Sequence, residues 1–287
     1  MTNSRDDHDG AGEPVVALLN EQFAAAVALA QEVPDDQWST PTDLPGWTVQ
    51  DCFSHMIGVE RQMMGVAEET PPLDHLPHVR DDFGRMVEAP VELRRSRTPA
   101  EIRSELSETL ATRQAELEGY PPDKFDEDSW TPAGPGSYRD FMLIRVFDLW
   151  MHEQDVRHAL GLPGHLDGPV VESVLAVNAT GALPMIIGKR AGAPGGAVVE
   201  VEVVGETEAR FVVQVREVDG KRRAALVDAD AVGEPTAHIR INVDPFMRLC
   251  GGRVEAAAVL DVEEPQVVLS GDRELARTVV ENLTFTP

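Results

Sequence analysis

The segment FDLWMHEQDVRH, residues 147–158, holds two His, two Asp and one Glu. His152-Glu153 opens like the helical zinc-protease motif, which needs its second His four residues on. Val156 stands at that position. His158 is six residues from His152, roughly 120° away around a helix. The pair that shares a face therefore runs backward, since Asp148 and His152 are i and i+4. Both sit in or beside an apolar run from Phe141 to Met151 that wraps nearly every face, as in a buried helix. A carboxylate buried there has to be paired or bind a metal. Asp148 and His152 read either as a hydrogen-bonded pair or as an oxygen and an imidazole nitrogen presented to one point.

A metal needs at least a third donor. His55 is the candidate, on an amphipathic helix whose core positions include Val49, Phe53 and Met56. The other reading of His55 is an ordinary core or surface histidine. Two antiparallel helices of a bundle can bring one His against an i, i+4 pair. An Asp/His/His set leaves coordination positions open for water or substrate, the pattern of a catalytic site. These donors suit Zn²⁺, and also Ni²⁺, Mn²⁺, Co²⁺ or Fe²⁺. Asp155, i+3 from His152, reads as the acceptor that orients this imidazole, or as a partner of Arg145, Arg157 or solvent. Glu153 and Arg157 read as a surface ion pair and His158 as a surface residue. Cys52 shares the His55 face and reads as a buried cysteine or a neighbour of the metal. Trp47 and Trp150 read as packing residues, and His75 and His78 as loop residues.

The elements that must position these groups follow from periodicity and caps. Helical spacing covers Val15 to Val33. Thr48, with Asp51 three residues on, opens the helix of His55 as a variant capping box. A short helix is expected over 83–95, and Thr98-Pro99 opens another that runs to about Glu118. Residues 119–136 read as a Pro/Gly/Asp-rich loop. Ser137 caps the helix of Asp148 and His152, which ends near Gly161. One more helix is expected over 168–189. After GAPGG the pattern changes to short Val-rich segments, AVVEVEVV, ARFVVQVRE, RRAALVD and TAHIRIN, which read as strands. DPFMRLCGG and RELARTVVENL read as helices around a further strand, QVVLSGD. The expected organisation is a disordered tail over 1–13, an all-α domain over 14–190 and an α+β domain over 197–287.

Composition narrows the function classes. Hydrophobic residues make up 42% of the 287, enough for a sizeable core. With 50 acidic against 25 basic residues the net charge is −25, which excludes a phosphate-backbone partner. Two cysteines are no disulfide framework. The polar N-terminus and the lack of a long apolar run predict no membrane association and a cytoplasmic protein. A monomer or homodimer is expected.

LPGWTVQDCFSHM, residues 44–56, looks like the "PGW-(S/T)-(V/I)-x-D-x-x-x-H" signature of DinB-like proteins, and more narrowly resembles the mycothiol-dependent maleylpyruvate isomerase family. DLWMHEQDVRHALGLPG, residues 148–164, looks like that family's second signature, "(E/D)-x-W-x-H-x-x-D-x-R-x-A-x-G". RLCGGR and VVLSGDRELARTVVENLTFTP are similar to its C-terminal end. The resemblance implies a DinB-like four-helix bundle holding a divalent metal through His55, Asp148 and His152, and a sterol-carrier-like C-terminal domain. It implies mycothiol as the thiol cosubstrate and a small electrophile as substrate, with isomerisation or S-transfer as the reaction. A non-enzymatic binding protein and a metal-dependent hydrolase are the competing readings. Asp155 is expected to support catalysis. Arg253 and Arg273 are the candidates for contacting the thiol's polar groups. The family's isomerase has Glu where Asp148 stands, so metal preference is an open point.

Overall fold

The structure, a computed structural model, describes residues 13–262 and 266–285. The tail expected over 1–13 lies, apart from Glu13, outside these residues. The chain divides into two compact units, Met1–Pro163 and Gly164–Pro287.

In the first unit, α1 (Pro14–Glu32), α2 (Val49–Met63), α4 (Pro99–Glu118) and α5 (Tyr138–Leu160) pack as a four-helix bundle, with α3 (Asp82–Glu92) laid against α2. Leu19, Phe23, Phe53, Ile57, Leu106 and Trp150 are among its fully buried core. The caps are those expected. Asp51 Oδ2 accepts the Thr48 backbone N–H at 2.8 Å, and Asp140 Oδ2 accepts that of Ser137 at 2.8 Å. Each satisfies a donor that the helix start leaves without an intrahelical partner. Gly161 ends α5 with φ 62°, a left-handed conformation that favours glycine. These caps fix the rotation of α2 and α5, and with it the direction in which His55, Asp148 and His152 point.

The expected loop over 119–136 contains a short antiparallel hairpin, β1 (Asp128–Thr131) and β2 (Gly134–Ser137). Its second strand reads Gly-Pro-Gly-Ser, and such a sequence carries neither alternation nor strand propensity. Pairing with β1 holds it.

The second unit is built on a five-stranded sheet: β3 (Val198–Val204), β4 (Ala209–Val218), β5 (Lys221–Val227), β6 (Ala237–Asn242) and β7 (Val267–Gly271), in the order β5-β4-β3-β6-β7. Strands β3 and β6 run parallel and the other pairs antiparallel. Helices α6 (Pro169–Met185), α7 (Val243–Cys250), α8 (Ala256–Leu260) and α9 (Arg273–Val280) complete the unit. Val199, Val201, Val203, Ile239 and Ile241 alternate into its core. The domain boundary expected at about 190 is corrected to 163/164. Helix α6 packs on β4 and β5, and the wide turn that extends it brings Gly188 against Ala224 of β5. A Val/Ala/Leu-rich helix reads alike in a bundle or on a sheet, and here the sheet takes it.

Helices Pro14–Glu32 and Pro169–Arg190 have the length and apolar composition of a membrane span, which corrects the reading that no run approaches one. Each packs within its own unit, α1 on α4 and α5, α6 on the sheet.

Helix α3 approaches α2 closely. A Cβ added at Gly58 would lie 2.2 Å from Pro90 Cβ. In an open helix, Gly→Ala stabilises by up to about 1 kcal/mol. Gly58→Ala is expected instead to destabilise by about 1–3 kcal/mol through overpacking. Gly181→Ala in α6, where nothing lies within 4 Å, is the control expected to gain stability. Denaturant unfolding of the two variants reads the difference in sign.

Candidate metal centre

Helices α2 and α5 bring three sequence-predicted residues together. His55, Asp148 and His152 each offer a ligand atom, and these atoms lie within 4.8 Å of one another. His55 Nε2 is 3.1 Å from Asp148 Oδ2, and His152 Nε2 is 3.7 Å from Asp148 Oδ1. The two imidazoles meet edge-on, with ring centroids 4.5 Å apart. Both are buried, whereas the Asp148 side chain is 31% exposed. The carboxylate therefore forms the open side of the cluster.

Asp155 occupies one of the two places expected for it. Its Oδ2 is 3.0 Å from His152 Nδ1. With the His152 proton on Nδ1, assigned from this bond, Nε2 turns a lone pair toward Asp148 Oδ1. Two acceptors then face each other, an arrangement that a cation between them would relieve. Asp155 thus holds the tautomer a metal ligand needs. Cys52, fully buried on α2, has its sulfur within 4.8 Å of ligand atoms of His152 and Asp155.

Two residues of the cluster went unassigned in the sequence. Arg145, buried on α5, donates through Nη1 to Asp148 Oδ2 and through Nη2 to Glu60 Oε1 at 2.8 Å. Glu60, buried on α2, also accepts from Arg113 Nε at 3.1 Å. Asp148, Arg145, Glu60 and Arg113 form an alternating chain of charges whose sum is zero. The signal was present, because Arg145 is a charge inside the apolar run of α5 and such a charge needs a buried partner. Which partner it takes depends on α2 and α4 and cannot be read from α5.

Burial acts against the Asp148 carboxylate, but the Arg145 guanidinium and the two imidazoles outweigh it and hold the group well below the usual carboxylate range. Burial lowers His55 to about 4; Asp148 opposes that shift, and His152 and Arg145 reinforce it. Near neutrality the cluster therefore presents a carboxylate beside a neutral His55. This donor set suits a divalent ion, with Arg145 as a resident competitor for the same carboxylate.

The remaining expectations divide. His158 is exposed, as read. Glu153 is fully buried, not on the surface; it accepts from Arg157 and also from Gln22 of α1 at 2.7 Å. The apolar run makes α5 central, so even its polar residues face neighbouring helices. Trp47 does more than fill space, lying 5.2 Å from the His55 ring and 5.4 Å from that of His152. Arg253 and Arg273 belong to the second unit. Arg253 is half-buried with Nη1 donating to the Gly251 carbonyl at 2.5 Å, and Arg273 is exposed at the start of α9. The cluster itself is built wholly from the helical unit.

Residues 19–157, the stretch that contains all of the cluster, match the model of the mycothiol maleylpyruvate isomerase N-terminal domain. The likeness to the mycothiol maleylpyruvate isomerase family therefore lies in the helical unit that carries the cluster. Two uncharacterized proteins from strains of Mycobacterium tuberculosis are 26% identical over 151 residues, covering 52% of this chain. The match spans 57% of the length of those relatives. Two crystal structures of the mycothiol-dependent maleylpyruvate isomerase, one a histidine-to-alanine mutant, share the fold. Each aligns with a TM-score of 0.53 and 16% identity, over 92% of this chain and 95% of its own. The likeness in fold thus takes in both the helical unit and the mixed-sheet unit.

The His55 shift has a consequence for stability. In the unfolded chain the imidazole returns to about 6.5. Between about pH 4 and 6.5 the unfolded state then binds more protons than the folded state, so stability rises with pH across that window and is lost on acidification. The depressed Asp148 acts with the same sign in a lower window. Chelator-treated protein is expected to lose on the order of 3 kcal/mol from His55 as pH falls through that window. His55→Gln is expected to flatten the slope, measured by denaturant unfolding at a series of pH values.

Proposed function

We propose that this protein is a divalent-metal-dependent enzyme that uses a low-molecular-weight thiol, mycothiol or a close analogue, to isomerise a small electrophile. The observation that carries the reading is the meeting of His55, Asp148 and His152, with Asp155 holding the free nitrogen of His152. The match of residues 19–157 to the mycothiol maleylpyruvate isomerase N-terminal domain supports the thiol and the isomerase chemistry, and the donor set supports the metal.

In this reading His55, Asp148 and His152 hold the ion, zinc first among the candidates. When bound, such an ion lowers the pKa of a thiol and keeps it as thiolate. The chain's own residues do the rest. Asp148 supplies the one negative charge among the donors, and Arg145 keeps it ionised. Asp155 keeps the His152 proton on Nδ1. Trp47 covers the two imidazoles and limits water on that side. The thiol sulfur adds to an unsaturated carbon of the substrate, the former double bond rotates as a single bond, and the thiol leaves with the geometry changed. Capture of the adduct as product would be the S-transferase variant of the same site.

A second reading rests on the charge-balanced chain Asp148–Arg145–Glu60–Arg113. The four groups cancel without any ion, which suits a structural cluster in a binding protein.

Elemental analysis of protein purified without an affinity tag separates the two. About one divalent ion per chain is expected, lost in His55→Ala and His152→Ala, with affinity reduced roughly 10- to 100-fold in Asp155→Ala. Turnover of a maleylpyruvate-type cis-unsaturated keto acid is expected with mycothiol and not without it. Protein that takes up no divalent ion, and whose behaviour ignores these substitutions, would establish the structural cluster instead.

A further inference from the structure

The two histidines of the cluster are oriented by different means. His152 is fixed by a hydrogen bond from Nδ1 to Asp155. His55 has no such bond, because its Nδ1 is buried without a hydrogen-bond partner among the described residues. An imidazole that must aim Nε2 at a fixed point needs its ring rotation held, and a hydrogen bond to the other nitrogen is the usual means. At His55 the Nε2 end lies 3.1 Å from Asp148 Oδ2, and a second hold on the ring has to come from elsewhere.

Trp47 is in place to do it. Its ring lies 5.2 Å from that of His55, tilted by 46°, and 5.4 Å from that of His152, tilted by 34°. It is 8% exposed. Its backbone is set by the turn before α2, where the Trp47 carbonyl accepts from Thr42 N–H at 2.9 Å and from the Thr42 hydroxyl at 3.0 Å. The side chain is also tied at its far end, since the indole Nε1–H donates to Glu88 Oε2 at 2.8 Å. Glu88 lies on α3 and is 2% exposed. Its Oε1 accepts from Arg95 Nη2 at 2.6 Å, and His78 Nε2 lies 3.1 Å from its Oε2. His78 closes the arrangement from the other side. A Cβ added at Gly46, where φ is 80°, would lie 2.6 Å from the His78 ring. The turn that carries Trp47 therefore requires glycine at position 46, both for its conformation and for its contact with His78.

We infer that Trp47, anchored by Glu88, is the positioning residue for His55. It fixes by ring packing what Asp155 fixes at His152 by a hydrogen bond. Neither Trp47 nor Glu88 touches the ligand point. Glu88 acts through Trp47, and Trp47 acts through the His55 ring. The inference rests on the metal reading for its consequence in binding, but the ring geometry stands without any ion.

Two measurements on the full chain test it. The first is Co²⁺ affinity by calorimetric titration. Glu88→Ala is expected to weaken binding roughly tenfold. Glu88→Gln, which keeps an acceptor for the indole, is expected to restore most of it. In a Trp47→Phe background, where the indole N–H is absent, Glu88→Ala is expected to change affinity by less than about twofold, because the two residues act as one unit. An equal loss in both backgrounds, or no loss in the wild-type background, overturns the inference. The second measurement needs no ion. In metal-free protein, NMR of the imidazole nitrogens is expected to show the His55 signals shifting and broadening in Glu88→Ala while those of His152 stay in place. Equal perturbation of both rings, or of neither, overturns the inference. Wild-type protein that shows the ring effect but binds no Co²⁺ would sink the metal reading and leave the positioning role intact.

Discussion

The helical unit turns on one carboxylate. Asp148 is a point where α2 and α5 meet through polar atoms, another being Arg145 on Glu60: His55 reaches it from α2, Arg145 and His152 from its own helix. Such a group is costly to enclose, and an unpaired partner left behind would cost more. The cost propagates. Arg145, bound to Asp148, needs Glu60; Glu60 needs Arg113; Arg113 ends on Tyr138 and Glu116. A chain of alternating charge thus links α5, α2 and α4. It contributes little net stability by the usual balance of desolvation against attraction. It does fix register, because sliding α2 by one turn against α5 would strand several buried charges together.

Against that chain the caps acquire a purpose. Thr48 with Asp51 and Ser137 with Asp140 fix the starts of the two helices that carry the cluster. Asp51 serves twice, as the capping acceptor and as a partner of Arg95, which also holds Glu88. The start of α2, the end of α3 and the indole over the imidazoles are therefore mechanically joined. Local sequence signals at residues 44–56 and the tertiary polar contacts converge on one geometry, the consistency expected of a sequence that specifies a single structure.

What could be read in advance follows the range of each interaction. Asp148 and His152 share a helix, so their spacing sufficed. His55 was legible because a cap and an apolar stripe set the phase of α2. Asp155 was narrowed to two kinds of partner and the structure chose His152. The partners that Arg145, Glu60 and Glu153 take on other helices were out of reach: Arg145 and Glu60 are 85 residues apart, Glu60 and Arg113 are 53 apart, and Glu153 and Gln22 are 131 apart. The hairpin 128–137 and the boundary at 163/164 escaped for a related reason. A Gly-Pro-Gly strand and an all-apolar helix take their state from what they pack on, and local pattern does not contain that.

The presence of Arg145 changes how the candidate centre has to work. In the metal reading proposed above, a divalent ion approaching Asp148 would meet a carboxylate whose charge is already matched by a guanidinium. Long-range attraction from this aspartate is thereby weakened, and Arg145 itself opposes a second cation. In that reading the two imidazole nitrogens would supply a larger share of the affinity than in a site with an uncompensated carboxylate. Lone-pair donation is directional, whereas charge attraction is not. A centre that depends on it is correspondingly sensitive to ring orientation. That reading accounts for the packing of both imidazoles against one indole, and Asp148 is compatible with it. Its oxygens stay close to α5, within reach of Arg145 at i−3, while Oδ2 still meets His55. The carboxylate is held as one corner of the site, and the rings are held to aim at it.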